Sequence, residues 1–379
     1  MQSEQDAALL DGLTVLDLSQ GIAGPYCGLV LRQQGARVIK VEPPGGDWSR
    51  NMGRIRAGQT AIAVACNAGK ESVLLDARTD SGRAAIARLA ERADVVIQNF
   101  RPGVAERMGV GYEALAARNP ALVYVSITGY GHAGPMAALP AVDTTVQAVS
   151  GLMHLNRDGA GQPRRIPFFL IDLSTGLYAA QHVCAALFKA ARHGKGRHVK
   201  LSLLETSAAL QSYLLVDDAM FPDAEMAAAN APTGLFAAAD GMLYISMLND
   251  AMFVRLARVL RFDDWLDDAA LRTSAGRLPR AAELNRRVAQ AVAAQPLAHW
   301  EALLTEHDVL FGRVSHASDF LQSAQCRQAG VFGRLALEGI GDVPWANLPG
   351  MAGMVRPAGD APTLGQHTEA VLAEFGIGA

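Results

Sequence analysis

The chain carries little charge and nowhere concentrates it. Of its 379 residues 19% are charged and the formal net charge is −3, so no basic field is available to gather nucleic acid, and no such partner is expected. Cysteine is scarce. Cys27, Cys66, Cys184 and Cys326 are scattered, mostly among apolar neighbours and without CxxC spacing, which argues against a disulfide frame or thiolate metal site and for free buried thiols. His154, His182, His198 and His367 show no i, i+4 pairing and no ligand spacing, so each reads as a surface or satisfied histidine and no metal is expected. No apolar run approaches the roughly 18 to 20 residues of a membrane span, so no membrane partner is expected either. The opening MQSEQDAALLDG has acids where an export signal is basic and lacks an apolar stretch, which makes the cytoplasm the expected location. A G-x-S-x-G nucleophile elbow is missing, the nearest approach being Val149, Ser150 and Gly151, and a serine hydrolase is disfavoured. What is present is apolar: 50% of residues are hydrophobic, enough for a sizeable core, and the length suggests about two domains.

The organisation of the chain follows from its alternating patterns. LTVLDL at 13–18 is a short β-type run, followed by the glycine-rich turn SQGIAGP, an apolar stretch to Leu31, and the strand-like ARVIKVE. GRAAIARLAERA leads into DVVIQNF, and YEALAARNP into ALVYVSITG. Strands alternating with helices predict an α/β fold with a parallel, doubly wound sheet, whose ligands lie at the carboxyl ends of the strands. IPFFLIDL is expected to be an apolar strand ending at Asp172 that leads into a helix over about 174–191, closed by HGKG, and HVKLSLLE to be a further strand-to-helix junction. The alanine-rich FPDAEMAAANAPT at 221–233 reads as a connector. After it a hairpin-like LFAAADGMLYIS and amphipathic helices predict a smaller α+β domain. The expected division is 1–220 for a large domain, 221–320 for the small one, and 321–379 for a return to the large one.

Several residues stand where such a fold does chemistry, and each has a plain alternative. Gly21, Gly24 and Gly28 fail the G-x-G-x-x-G spacing of a dinucleotide site, which leaves an ordinary βα turn or a close backbone approach for an anionic or extended ligand. Asn99 and Phe100 end a strand at the ligand-binding edge, where an aromatic ring can stack on a base or simply tuck into the core. Lys70 and Arg107 can face a phosphate or only water. Asp172 follows the apolar run IPFFLI and precedes a helix. It reads as an N-cap or as a nucleophile kept ionised by the helix terminus.

Taken in order, LTVLDLSQGIAGPYCGLVLRQQGARVIKVEPPGGD, NAGKESVLLD, ADVVIQNFRPGVAERMG, PALVYVSITGYGHAGP, VQAVSGLM, IDLSTGLYAAQHVCAALFKA with GKGRHVKLSLLE, and LGQHTEAVLAEFG resemble the class III CoA-transferase family, also called the CaiB/BaiF family. These blocks span nearly the whole chain. The resemblance implies a Rossmann-like, CoA-binding large domain made from both chain ends, a small domain between them, and an interlocked homodimer. It places Asp172 on the family's catalytic aspartate, and Gly21, Ile22 and Ala23 on the loop that runs along CoA. Asn99 and Phe100 fall on nucleotide contacts, and Lys70, Arg107 and Met108 on other positions that touch CoA.

The implied reaction moves CoA from an acyl-CoA to a small carboxylic acid through aspartyl anhydride and aspartyl-CoA thioester intermediates, with no permanently bound cofactor. Two alternatives stay open: an acyl-CoA racemase or epimerase of the same fold, and a CoA-binding protein without turnover. Where the racemases carry a His-Asp pair, this chain has Val142 and Asp143, and His154 is the nearby histidine that could replace the missing acid/base. Where formyl-CoA transferases carry Gln before the AGP of the first turn, it has Ile22, and no glycine run occurs near 234–241, which argues against oxalate as acceptor.

Overall fold

The computed structural model describes residues 8–222, 230–351 and 360–378; the expected connector at 221–233 falls largely outside them. The chain divides into two compact units, one from Met1–Tyr213 with Ala324–Ala379, the other from Leu214–Ser323.

The first unit is built on six parallel strands: β1 (Thr14–Asp17), β2 (Arg37–Glu42), β3 (Glu71–Leu74), β4 (Val95–Gln98), β5 (Val123–Thr128) and β6 (Arg197–Ser202). Their order across the sheet is β3-β2-β1-β4-β5-β6, the doubly wound order of dinucleotide-binding folds. The central strands are short, β-branched and buried on both faces, as a parallel sheet covered by helices requires. Alternation sends Val15, Val95, Ile97, Val123 and Val125 to one side, where they meet Leu31, Ile171 and Val183. Leu16, Ile39, Val96 and Tyr124 go to the other side and meet Ile86 and Leu89.

The helices that matter for the site are α1 (Ala23–Gln33), α2 (Asp80–Glu91), α3 (Tyr112–Ala116), α4 (Asp143–Val149), α5 (Leu170–His193) and α6 (Leu203–Leu210). Helices α1 and α5 cross closely at Gly176. A Cβ there would stand 2.7 Å from the Ala23 carbonyl oxygen and 3.1 Å from the Cys27 nitrogen, closer than packed atoms allow. The chain's end returns to β3: the backbone N–H of Ser72 donates to His367 Nδ1 at 3.1 Å and that of Leu74 to Thr368 Oγ1 at 2.9 Å.

One sequence expectation fails. IPFFLI forms no strand; the helix already begins at Leu170, with Phe169 at its N-cap, and runs to His193. A short apolar run cannot distinguish a buried strand from the buried first turn of a helix, and here the cap that opens the helix comes from elsewhere in the chain.

The second unit has a three-stranded antiparallel sheet with Gly241–Ile245 between Gly234–Ala238 and Phe311–Arg313. Helices Asp250–Val259, Ala281–Ala293 and Leu297–Glu306 belong to it, and Phe253, Leu256, Trp265 and Val288 make its core. Arg277 is wholly buried. Its guanidinium donates to the Ala231 and Leu271 carbonyls, each at 2.9 Å, and lies 4.6 Å from the Phe253 ring centre, so its donors are satisfied inside an apolar core.

Candidate active site

The strand order reverses between β1 and β4, and there the two strands end in turns that diverge, leaving a crevice. A cavity of about 390 Å³ opens at this point. Gln20, Ile22 and Ala23 line it from the first turn, Asn99 to Pro102 from the second, and Ile127 to Gly129 from the end of β5. Trp48, Val142, Asp172 and Leu203 complete much of the wall.

The first turn owes its shape to Gly21, which has φ of +82° and a backbone N–H bonded to both oxygens of Asp47 at 2.9 and 3.1 Å. A side chain here would be strained by that φ, and its Cβ would overlap the Trp48 indole. Asn99 clasps the same turn: its Oδ1 accepts the Gln20 N–H at 2.8 Å and its Nδ2 donates to the Gln20 carbonyl at 2.7 Å. Both halves of the amide are thereby used on backbone, so Asn99 joins the two turns while it lines the cavity.

Beneath the turn lies a buried group of two acids and two ammonium ions. Lys70 Nζ bonds Asp17 at 2.8 Å, the Pro25 carbonyl at 2.7 Å and Asn67 at 3.0 Å. Lys40 Nζ lies 3.0 Å from Asp47 and also donates to the Ser19 carbonyl. Burial alone would push the Asp17 carboxyl up, but Lys40 and Lys70 outweigh it and hold the group ionised. Lys70 therefore stands under the turn and outside the cavity wall, with all its protons engaged. Arg107 and Met108 also lie off the cavity. Arg107 is exposed at the end of the short helix Val104–Arg107, and Met108 packs half-buried against the cluster that includes Phe100.

Asp172 occupies the third position of α5, not its cap. The capping carboxylate is Asp143, the first residue of α4: its Oδ2 accepts the N–H of Ile171 at 2.7 Å and of Asp172 at 3.0 Å, while Oδ1 accepts Gln147 Nε2 at 2.6 Å. Gln147 in turn accepts the Ile166 N–H at 2.9 Å, so α4 fixes the entry to α5 from both sides. A helix N-terminus favours a carboxylate, yet burial and then the neighbouring Asp143 charge push the Asp172 carboxyl up to about 7. The expectation that the helix end keeps it ionised is thus reversed, first because the carboxyl is buried and second because the cap that satisfies the helix is itself an anion.

Two contributors went unnoticed in the sequence. Asp143 looked like part of a missing His-Asp pair, and nothing local signals that it caps a helix that starts 27 residues later. Trp48 follows the PPGGD turn and puts an indole into the cavity wall. His154 is exposed and paired with the Arg157 side chain, away from the cavity. Among the described residues no three His, Cys, Asp or Glu side chains are grouped to hold a metal ion, and no described helix is long and apolar enough to cross a membrane.

A doubly wound sheet whose switch-point crevice is faced by a half-buried carboxylate on a helix is an α/β ligand-binding fold with a candidate reactive group in its site. The chain belongs to CoA-transferase family III, whose sequence profile matches residues 10–368, and the substrates of that family are CoA thioesters. It is 34% identical to the acetyl-CoA:oxalate CoA-transferase of Acetobacter aceti over 83% of each chain. It is 32% identical to the succinate–glutarate CoA-transferase of Agrobacterium fabrum over 97% of this chain and 95% of that one. A crystal structure of a CAIB/BAIF family protein from Brucella suis superimposes with a TM-score of 0.86 at 31% identity, covering 96% of this chain and 98% of the other.

Proposed function

We propose that this enzyme moves CoA from an acyl-CoA to a small carboxylic acid, with Asp172 as the nucleophile. The observation that carries the proposal is the placement of Asp172: a carboxylate in the wall of the switch-point cavity, in the first turn of α5, with a raised pKa of about 7. Poorly solvated and more basic than an ordinary carboxylate, its ionised form is the better nucleophile at neutral pH.

An Asp172 oxygen attacks the donor thioester carbonyl, the C–S bond breaks, and CoA leaves as thiolate from a mixed anhydride. The thiolate attacks the aspartyl carbonyl of that anhydride, releasing the donor acid and forming an aspartyl-CoA thioester. The acceptor carboxylate displaces the thiolate again to give a second anhydride, and attack of the thiolate on the acceptor carbonyl releases the new acyl-CoA and free Asp172. The first-turn N–H groups of α1, at Ala23 in the cavity wall, have no intrahelical acceptor and would face the developing oxyanion.

Gly21, Ile22, Ala23, Asn99 and Phe100 supply the CoA cradle in this scheme, with Lys70 bracing it from below and Arg107 and Met108 flanking it. Relatives named for oxalate and glutarate make short dicarboxylic acids the first acceptors to screen, with succinyl-CoA and acetyl-CoA as donors. Ile22 offers no side-chain hydrogen bond where an amide would, which favours acceptors longer than oxalate. The homodimer is part of the same proposal. Leu177 and Phe188 on α5 are 46% and 65% exposed, and Tyr213 and Met220 on the helix Ser212–Met220 are 72% and 65% exposed; apolar surface of this kind is normally covered.

The test is to mix the enzyme with one acyl-CoA and trap with hydroxylamine or borohydride. Mass spectrometry should find the adduct or reduced residue at Asp172. Tight CoA binding with no covalent trapping and no acceptor-dependent product would instead mark a CoA-binding protein without turnover.

A further inference from the structure

A row of polar side chains crosses three strands on an otherwise apolar face of the sheet. Gln98 ends β4, Ser126 lies beside it on β5 and His198 belongs to β6; the register pairs Gln98 with Ser126 and Tyr124 with His198. The surrounding layer is Leu16, Val96 and Tyr124, with Gln98 and Ser126 only 8% and 3% exposed. Polar groups in such a layer stay only when each is bonded, and these are bonded in series. The Phe100 N–H donates to Gln98 Oε1 at 2.7 Å, Gln98 Nε2 donates to Ser126 Oγ at 2.8 Å, and Ser126 Oγ lies 2.9 Å from His198 Nε2.

The direction of the first two bonds is fixed by the backbone donor. A backbone N–H can only donate, so the Gln98 oxygen must face Phe100 and its amide nitrogen must face Ser126. Ser126 Oγ accepts the Gln98 hydrogen bond and shares the next one with His198 Nε2, whose ring is in its neutral form. That state fits the surroundings: burial, then Lys200 and His132, hold His198 down at about 4. The ring also packs against Tyr112, 4.5 Å away and tilted by 32°, and Tyr124, which meets it edge-on at 5.2 Å.

We propose that Ser126 and His198 are positioning residues for acyl-CoA binding, acting through Gln98 to fix the backbone of the Asn99–Phe100 cavity wall. The inference rests on the CoA-transfer proposal, since it takes that wall to be where CoA lies. Neither residue lines the cavity, so neither is catalytic. Their contribution is to keep Phe100 where a ligand needs it before the ligand arrives.

Steady-state kinetics of the full chain with succinyl-CoA and glutarate, or with whichever pair the screen finds active, tests this directly. Ser126→Ala, which loses both bonds that meet at Oγ, should raise KM for the acyl-CoA about 5-fold, and His198→Leu, which loses one, about 3-fold, with kcat within about twofold of the parent. His198→Gln, which can present an oxygen near the Nε2 position, should return KM to near the parent value, while His198→Asn, which reaches only the Nδ1 position, should not. The double variant Ser126→Ala/His198→Leu should be no worse than Ser126→Ala alone, because both changes cut the same series. A parent-like KM in His198→Leu, additive effects in the double variant, or kcat falling in step with kcat/KM would overturn the relay. Phe100→Ala separates the two levels: if it leaves the acyl-CoA KM unchanged, the placement of CoA against this wall is wrong, whereas a raised KM there with an unaffected His198→Leu rejects the relay alone.

Discussion

Replacing Asp143 by Asn changes the charge beside the proposed nucleophile while nearly preserving its shape. Asn keeps one oxygen for the Ile171 and Asp172 N–H groups, now at 2.7 and 3.0 Å from Oδ2, and still caps a helix well. Its amide nitrogen would face the Gln147 amide, which loses its 2.6 Å acceptor, at a cost of about 1 kcal/mol. The Asp172 carboxyl sits at about 7 instead of 3.8, through burial first and Asp143 second, and removing the second cause should lower it by about one unit. In the proposed mechanism only the carboxylate attacks. At pH 6 about a tenth of Asp172 is then ionised in the parent and about half in the variant, so kcat/KM should rise about 5-fold there and change little at pH 8. The assay is kcat/KM for the acyl-CoA between about pH 5.5 and 8.5. An acid limb that does not move, or activity depressed equally at every pH, would refute the claim that Asp143 sets the ionisation of Asp172.

Asp172→Asn should abolish transfer, leave CoA binding intact and stabilise the fold. With its pKa raised above 3.8, the folded state holds the Asp172 proton more tightly than the unfolded chain. Stability is therefore lost as pH rises from about 4 through about 7, and Asn should recover on the order of 2 kcal/mol at pH 8 and almost nothing at pH 4, measured by urea unfolding. A gain of equal size at both pH values would contradict the electrostatic origin. Gly21→Ala, placed at φ +82° against Trp48, should cost about 1–3 kcal/mol and raise KM for acyl-CoA more than it lowers kcat; a parent-like KM would show that the first turn does not touch the ligand. A 2-methylacyl-CoA incubated in deuterated water should show no α-deuterium coupled to inversion, because Val142 in the cavity wall carries no proton and His154 faces Arg157. Inversion that vanishes in His154→Ala would favour the racemase instead.

The sheet was largely legible in the sequence because its strands are short β-branched runs closed by turn residues, and the helices between them are periodic. Val95–Gln98 and Val123–Thr128 lie inside the expected strands DVVIQNF and ALVYVSITG, and Asp80–Glu91 overlaps the expected helix GRAAIARLAERA. Local pattern failed where a long-range partner decides the structure. IPFFLIDL has the composition of a strand, but its backbone N–H groups at 171 and 172 are taken by a side chain from α4, which commits the segment to helix. Lys70 shows the same limit. Its neighbours in sequence do not reveal that three acceptors, including Asp17 at 2.8 Å, enclose its ammonium, so a cation that could have met a phosphate is instead part of the support under the first turn.

Under the proposed mechanism the arrangement around Asp172 gives the anionic cap a role. A neutral cap such as Ser would satisfy the same N–H groups and leave burial alone to keep the Asp172 carboxyl raised, with the helix terminus drawing it part of the way down. With Asp143 in that place, the field of the helix end is offset by a charge buried to 2% exposure, and Asp172 remains basic enough to attack. Its protonated fraction near neutrality has a consequence for substrate order. An incoming acceptor carboxylate brings a further negative charge, which favours the neutral carboxyl and suppresses attack. The donor thioester is uncharged at its reacting carbon and imposes no such penalty. Once Asp172 is acylated its charge is gone, and the acceptor carboxylate can enter. Free acceptor acid should therefore inhibit competitively with acyl-CoA, more strongly below pH 7, where Asp172 is protonated and the acid can share its proton, than above it.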